Sequence, residues 1–257
     1  MSKGLMEGKK GLIMGVANDK SIAWKVAEKL KEQGAELAFS YQDESVKEKV
    51  VPLFEDIGSK HYYELNVLDD QNFEDVFERI KDEFGSLDFL VHSIAGGPDK
   101  DDLKGLYLDT SRDNFIRSME ISVYSFVKAV GLASPILKEG SSAITMTYYG
   151  GEKVLPNYNI MGVAKAALES SVRYLAKDLG QREIRVNALS PGPVLTRAAS
   201  GIGDFRTLLK DFSQRAPMKR LVEKEEIAGS ALYLLSELSS GVSGEILHVD
   251  CGYNIMG

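Results

Sequence analysis

Cysteine is nearly absent from this 257-residue chain: Cys251 stands alone, so no intrachain disulfide can form, and a reducing compartment fits. No motif around it supports a role as nucleophile. Histidine is scarce as well. His61, His92 and His248 are scattered without metal-ligand spacing, so structural roles are expected and no metal is. Long apolar runs are missing. The opening Met1-Ser2-Lys3-Gly4-Leu5-Met6-Glu7-Gly8-Lys9-Lys10 holds no stretch of signal-peptide length, and no later segment approaches the length that crosses a bilayer. No membrane insertion is therefore expected, and a cytoplasmic protein is. Positive charge is in deficit, with 31 Lys and Arg against 38 Asp and Glu; a formal net charge of −7 opposes association with nucleic acid, which depends on neutralising phosphates. Repeats of solenoid length and low-complexity tracts are lacking too.

What is present is ordinary globular composition, 44% apolar and 27% charged, arranged as short apolar runs alternating with amphipathic stretches of helical period. Strands are expected at Gly11–Met14, Glu36–Tyr41, His61–Leu65, Leu87–His92, Ser142–Tyr148, Arg185–Ser190 and Glu245–Val249. The intervening segments are mostly long enough for crossover helices. The first helix should start near Ser21, turn Ile22, Val26, Ala27 and Leu30 inward, and end at Gly34. A longer helical stretch, Thr110 to Leu137, begins with Thr110-Ser111-Arg112-Asp113 as its cap and carries Phe115, Met119 and Val123 at helical spacing, read as core packing. This alternation implies an α/β protein: a doubly wound parallel sheet of about seven strands, helices on both faces, in one domain spanning 1–257.

Ligands of such sheets sit beyond the carboxyl ends of the strands, where loops and helix N-termini offer backbone N–H groups to phosphates. After the first strand comes Gly15-Val16-Ala17-Asn18-Asp19-Lys20-Ser21-Ile22-Ala23, in strand-turn-helix context but without the three-glycine fingerprint of dinucleotide sites. A plain structural turn competes with a phosphate loop there. After the second strand, Ser40-Tyr41-Gln42-Asp43-Glu44 has no Arg or Lys before Lys47, and its two acids would repel an adenosine 2′-phosphate, so NADH is favoured over NADPH. The fourth strand ends in His92-Ser93-Ile94-Ala95-Gly96-Gly97, small residues that let backbone approach a nicotinamide ribose, or simply form a glycine turn.

From Ser142 to Lys165 the chain reads Ser-Ala-Ile-Thr-Met-Thr-Tyr-Tyr-Gly-Gly-Glu-Lys-Val-Leu-Pro-Asn-Tyr-Asn-Ile-Met-Gly-Val-Ala-Lys. This resembles the active-site segment of the NADH-dependent bacterial enoyl-acyl-carrier-protein reductases, divergent members of the short-chain dehydrogenase/reductase superfamily. The likeness extends to the Gly15–Ala23 turn, Gln42, His92-Ser93-Ile94, Arg185-Val186-Asn187-Ala188, Ser190-Pro191-Gly192-Pro193, Ala199-Ser200-Gly201-Ile202 and the closing Ser243-Gly244-Glu245 to Gly252. Ordinary members of that superfamily place Tyr four residues before Lys, a position held here by Met161. Tyr158 instead stands seven residues before Lys165, about two turns at 3.6 residues per turn, which leaves both on one helix face.

The resemblance implies a Rossmann-type fold with a small helical substrate lid, and an enzyme that moves hydride from NADH to the third carbon of a trans-2-enoyl thioester carried on acyl-carrier protein during fatty-acid elongation. It implies that Tyr158 donates to the developing enolate oxygen, that Lys165 holds the nicotinamide-ribose hydroxyls, and that Tyr148 is a second active-site tyrosine. Gly15, Ser21, Ile22, Gln42, Asn66, Val67, Ile94, Val194, Leu195 and Thr196 would line the cofactor, with Gly97, Tyr148 and Tyr158 beside the acyl substrate. Asn66 departs from the family, which has an acidic residue there; Tyr149 and Gly151 are milder departures next to the active site. The family is homotetrameric, with the Gly244–Gly257 tail near a subunit contact. Packing alone remains the competing account of the tyrosines. A carbonyl reductase of the same superfamily and a catalytically silent dinucleotide sensor are the rival functions, opposed by Met161 and by the presence of Tyr158 with Lys165 respectively.

The lid is expected over Pro193–Ser213, with Gly192, Gly201 and Gly203 as hinges. Beyond it, Arg206, Lys210, Arg215, Lys219 and Arg220 face only Asp211, an island of about +4 by count on an acidic chain. This island is expected to steer acidic acyl-carrier protein to the pocket, with a merely solvated helix face as the alternative.

Overall fold

The computed structural model describes residues 4–99, 102–103, 105–194 and 205–256, excluding the side chains of Phe205 and Arg206. Seven parallel strands form one sheet: β1 (Lys10–Met14), β2 (Glu36–Tyr41), β3 (His61–Glu64), β4 (Leu87–His92), β5 (Leu137–Met146), β6 (Arg185–Pro191) and β7 (Ile246–Val249), in the order β3-β2-β1-β4-β5-β6-β7. The chain winds outward from β1 in both directions, so the order reverses between β1 and β4. In sheets of this kind the crevice at the carboxyl ends of the strands beside such a reversal is the usual ligand position.

Helices cover both faces: α1 (Ile22–Glu32), α2 (Glu44–Asp56), α3 (Asp70–Glu83), α4 (Arg112–Met119), α5 (Ser125–Ala133), α6 (Asn159–Leu179), α7 (Phe205–Arg215) and α8 (Lys224–Leu235). Two apolar clusters result, one on each side of the sheet. On the first, Trp24 of α1 lies against Phe39 of β2 and Phe54 of α2, with Phe39 and Phe54 stacked at 4.0 Å. On the second, Phe73, Phe77 and Ile80 of α3 join Phe126, Ala129 and Val130 of α5 and Ala164, Leu168 and Val172 of α6. Strands covered on both faces must be apolar at consecutive positions, and for this reason β1 and β4 read as continuous runs rather than alternating ones. Gly11 is required within β1 because a Cβ there would lie 2.0 Å from the Phe89 ring of β4.

The seven expected strands all form, and two details differ. β5 runs from Leu137 to Met146 rather than from Ser142 to Tyr148: Leu137 pairs with Leu87 before an irregularity, after which Phe89 pairs with Ser142, and Tyr148 lies just past the strand end. The stretch from Thr110 is capped as expected, Ser111 Oγ accepting the Asn114 N–H, but it is broken by a π-helical turn at Glu120–Tyr124 and α5 ends at Ala133. Phe115, expected in the core, is exposed, as are Ile116 and Tyr124. Met119 and Val123 pack on the second cluster as expected, and the inward side of this stretch also carries Ser118, Ser122 and Ser125, all fully buried. No helix among the described residues is long and apolar enough to cross a membrane.

Candidate functional site

The loops after β1, β2, β3, β4 and β5 converge on the crevice. After β1, Gly15 adopts φ +94°, and a Cβ there would stand 2.1 Å from the Ser93 carbonyl oxygen, so only glycine lets the β1 and β4 loops meet. The next turn folds around one hydroxyl. Ser21 Oγ accepts the Ala17 and Asn18 N–H groups at 3.0 and 3.1 Å, and Asn18 Oδ1 accepts the Lys20 N–H at 2.9 Å. Because Ser21 turns back into the loop, it makes no side-chain cap on α1, whose first N–H groups are left for an anion. Ile22 is half-buried against the core at the same turn.

At the ends of β2 and β3 the lip is polar and local. Gln42 is exposed. Asp43 caps α2 through the Val46 N–H at 3.0 Å and takes the Ser45 hydroxyl at 2.6 Å; these bonds, Ser45 first, hold its carboxyl below the ordinary range. Lys47, the first cation after β2, pairs with Glu44 at 3.0 Å. Asn66 builds its own turn, its side-chain oxygen accepting the Leu68 N–H and its backbone N–H donating to Asn72 Oδ1. Val67 packs against the second core cluster, which Ile94 after β4 also meets.

The inward serines of the α4–α5 stretch hold the β4 loop. Ser122 Oγ accepts the Gly96 N–H at 3.1 Å and donates to the Gly96 carbonyl at 2.9 Å. Gly97, at φ +124°, passes so close to α4 that a Cβ would lie 2.5 Å from Ser118 Cα. His92, at the end of β4, is fully buried between Thr145 Oγ1 and Ser125 Oγ, each 2.9 Å from one ring nitrogen. Burial, helped by the nearby Lys165 charge, pushes its pKa down to about 3, so the ring is neutral. His61 instead tilts against Phe84, and His248 meets Glu152 at 2.6 Å.

Past β5 come the two tyrosines. Tyr158 is the cap residue of α6, between Asn157 and Asn159, which have φ +59° and +37°. Asparagine tolerates this left-handed geometry better than most residues. Asn159 also donates to the carbonyls of Asp102, Leu103 and Gly105, tying that segment to the site. The Tyr148 and Tyr158 rings meet edge to face, centroids 5.1 Å apart. Gly150 permits this, since a Cβ there would lie 2.4 Å from Tyr158 Cδ1. Tyr148 Oη is buried with no partner among the described residues, and so is Ser190 Oγ on β6. Burial pushes both phenols well above the ordinary tyrosine range, so they remain O–H donors at any physiological pH.

Lys165 lies on the inner face of α6, its Nζ donating to the Met146 carbonyl at 2.8 Å at the end of β5. Burial lowers its pKa to about 8, opposed by Glu169 one turn further on. Tyr148, Tyr158 and Lys165 are thus gathered where β5 ends and α6 begins, and Gly15, Gly97 and Ile94 belong to the two loops that frame the crevice. Val194, after β6, is buried against the first core cluster. Leu195 and Thr196, expected at the cofactor, and Ala199 to Gly203 of the expected lid lie outside the described residues; α7 covers its far end. Met161, where carbonyl reductases have tyrosine, is buried. The sequence reading missed Ser118, Ser122, Ser125, Thr147 and Glu169. The serine spacing of four and three residues along one helix face was the available signal, masked by the apolar residues between them.

Residues 15–254 match the family model described as enoyl-(acyl carrier protein) reductase. Enoyl-[acyl-carrier-protein] reductase [NADH] 1 of Rhizobium meliloti is 56% identical over 256 residues, covering 100% of this chain and 94% of the relative. Among solved structures, the reductase of that activity from Anaplasma phagocytophilum, in complex with NAD, has a TM-score of 0.95 at 50% identity and covers 100% of this chain and 97% of its own. The Bacillus cereus enoyl-acyl carrier protein reductase, with NADP+ and an indole naphthyridinone, has a TM-score of 0.96 at 44% identity, with 99% of each chain covered.

Proposed function

The chain belongs to the enoyl-acyl-carrier-protein reductase family, and from that premise we infer that it reduces trans-2-enoyl thioesters to saturated acyl thioesters with NADH. The turn fits a dinucleotide: Gly15 lets the β1 and β4 loops close on one another, α1 has no side-chain cap and so keeps its first N–H groups for a phosphate, and the Tyr148 hydroxyl is buried without a protein partner among the described residues. When bound there, NADH supplies the hydride that adds to the third carbon of the enoyl chain. Negative charge then moves to the thioester oxygen, and a donor preset for that enolate lowers the barrier more than one that must reorganise.

The observation that carries this reading is geometric: the Tyr148 and Tyr158 rings meet edge to face just past the end of β5, where Lys165 holds the Met146 carbonyl. Tyr158 donates to the enolate oxygen; Tyr148, whose hydroxyl has no protein partner, backs it as a second donor to the acyl group. Lys165, already fixed on the Met146 carbonyl, keeps N–H bonds for the nicotinamide-ribose hydroxyls. Ser21 and Ile22 receive the pyrophosphate, Gln42 the adenosine ribose, Asn66 and Val67 the adenine, and Ile94, Val194, Leu195 and Thr196 the nicotinamide half. Gly97 borders the acyl chain. Asp43 and Glu44 add negative charge at this lip, and Lys47, the first cation after β2, is engaged by Glu44, which favours NADH over a cofactor carrying a 2′-phosphate. NADH oxidation by Tyr158→Phe, with NADH binding titrated separately, tests the assignment: turnover of an enoyl thioester should fall about a hundredfold with NADH affinity unchanged. A mutant as fast as the native enzyme would remove Tyr158 from the reaction.

The acyl substrate arrives on acyl-carrier protein, and the docking surface we assign is the basic stretch around α7. The structure trims the island expected from sequence. Arg220 is bound to Glu226 at 2.6 and 2.7 Å and Arg215 lies 3.6 Å from Asp211, while Lys210, Arg215 and Lys219 are exposed among the described side chains. Exposed Phe115, Ile116 and Tyr124 near α4, with Tyr174 on α6, support self-association, which we assign as a homotetramer acting in the cytoplasm.

A further inference from the structure

One turn beyond Lys165 on α6 lies a buried carboxylate, Glu169, only 6% exposed. Its Oε1 accepts the Thr147 hydroxyl at 2.6 Å. Thr147 is buried too, and its backbone N–H donates to the Leu189 carbonyl of β6 at 2.8 Å, so the carboxylate grips the chain at the residue immediately before Tyr148. Space for it is reserved. A Cβ at Gly151 would lie 2.6 Å from Glu169 Oε1 and 3.1 Å from the Ala166 backbone nitrogen, so glycine here leaves room for the carboxylate against α6. Lys165, 4% exposed, is anchored to Met146, the residue before Thr147. The cation and the anion therefore hold adjacent residues of one strand end from adjacent turns of one helix.

A carboxylate buried for packing alone would be a poor choice, since desolvating it costs several kcal/mol unless its charge is used. We propose that Glu169 is a positioning residue for the reaction: its negative charge keeps Lys165 in the ammonium form, and its bond to Thr147 fixes the strand end that carries Tyr148. This rests on the assignment of Lys165 to the nicotinamide ribose. The surrounding charges agree. His92 of β4, within electrostatic reach of Lys165, is neutral, and Tyr158, facing both Tyr148 and Glu169, stays un-ionised, so neither offers the lysine a negative charge. Around Glu169 stand Glu152, His248 of β7 and Arg173 of α6; burial and Glu152 raise its pKa, while the Thr147 bond, His248 and Arg173 lower it. For Lys165, burial lowers the pKa and Glu169 raises it, so removing the carboxylate moves the lysine further down, from about 8 towards neutrality.

The test is the NADH dissociation constant of the full-length protein against pH, read by NADH fluorescence. In the native protein affinity is lost on the alkaline side as Lys165 deprotonates. Glu169→Gln, which keeps an acceptor for Thr147 but no charge, should move that limb down by about one pH unit, with binding about five- to tenfold weaker at pH 8 and within about twofold of native at pH 6. Thr147→Val keeps the charge and loses the bond, so the limb should stay in place while kcat on an enoyl thioester falls. Should Glu169→Gln fail to fold, Glu169→Asp serves: with charge retained but withdrawn from Thr147, it should leave the limb unmoved and lower kcat. Lys165→Ala separates the two assignments. If it binds NADH as the native protein does, the cofactor role of Lys165 is wrong; if it binds weakly while Glu169→Gln shows the native pH profile, or if Glu169→Asp shifts the limb, the role of Glu169 is overturned.

Discussion

The two halves of the crevice are built by different means. At the nucleotide end, Ser21, Asp43 and Asn66 each organise a turn within a few residues of themselves, and most of these groups stay in contact with solvent. At the reacting end the bonds join residues far apart in sequence: His92 to Thr145 across 53 positions, His92 to Ser125 across 33, Gly96 to Ser122 across 26, Thr147 to Glu169 across 22, and Lys165 to Met146 across 19. Every one involves at least one buried partner. Holding an anion needs backbone N–H groups and a tight turn, which local sequence can specify. Stabilising an enolate needs donors fixed where water is scarce, and that requires a network spanning β4, β5, α5 and α6.

This contrast predicts that substitutions at the reacting end cost more than those at the nucleotide end. The largest effect should come from Lys165→Ala, which removes charge-assisted bonds worth about 2–3 kcal/mol and should weaken NADH binding about thirty- to hundredfold in a fluorescence titration. Next is His92→Gln, which breaks the bridge to Thr145 Oγ1 while Ser125 keeps the Ile121 carbonyl, and should destabilise the fold by about 1–3 kcal/mol in denaturant titrations. That penalty should shrink in acid. The folded-state pKa of His92, about 3, lies below the ordinary 6.5, so the native protein alone loses stability from this group as pH falls from 6.5 towards 3. Ser122→Ala, which frees the Gly96 turn, should raise the enoyl-thioester KM a few-fold. The smallest effect belongs to the nucleotide lip: Glu44→Gln releases Lys47 and should raise kcat/KM with NADPH about two- to fivefold while leaving the NADH value unchanged. A Glu44→Gln effect exceeding that of Lys165→Ala would break the comparison.

The same contrast decides what the sequence made legible. Apolar runs bounded by turns placed all seven strands, because a strand buried on both faces has little freedom in composition. The Gly15–Ser21 turn could be read because it sits between a strand and a helix in one short stretch, although the contact with Ser93 that demands glycine at 15 could not. Tyr158 and Lys165 were legible through spacing on a single helix. The Ser122 clamp, the His92 bridges and the Thr147–Glu169 bond were not, because their partners lie on other elements and no periodicity links them. Phe115 was misplaced at the outer end of the stretch from Thr110: Met119 packs against the second cluster and Val123 is buried as the spacing implies, while at the first turns of α4 the fully buried side chain is Ser118 and Phe115 is exposed.

The central claim is that neutral phenols beside Lys165 serve enolate chemistry rather than carbonyl reduction. NADH oxidation by the native protein with a trans-2-enoyl thioester and with the matching 3-ketoacyl thioester tests it directly. Rapid turnover of the enoyl substrate with none above background on the keto substrate is the expected result; comparable or faster turnover of the keto substrate would contradict the account.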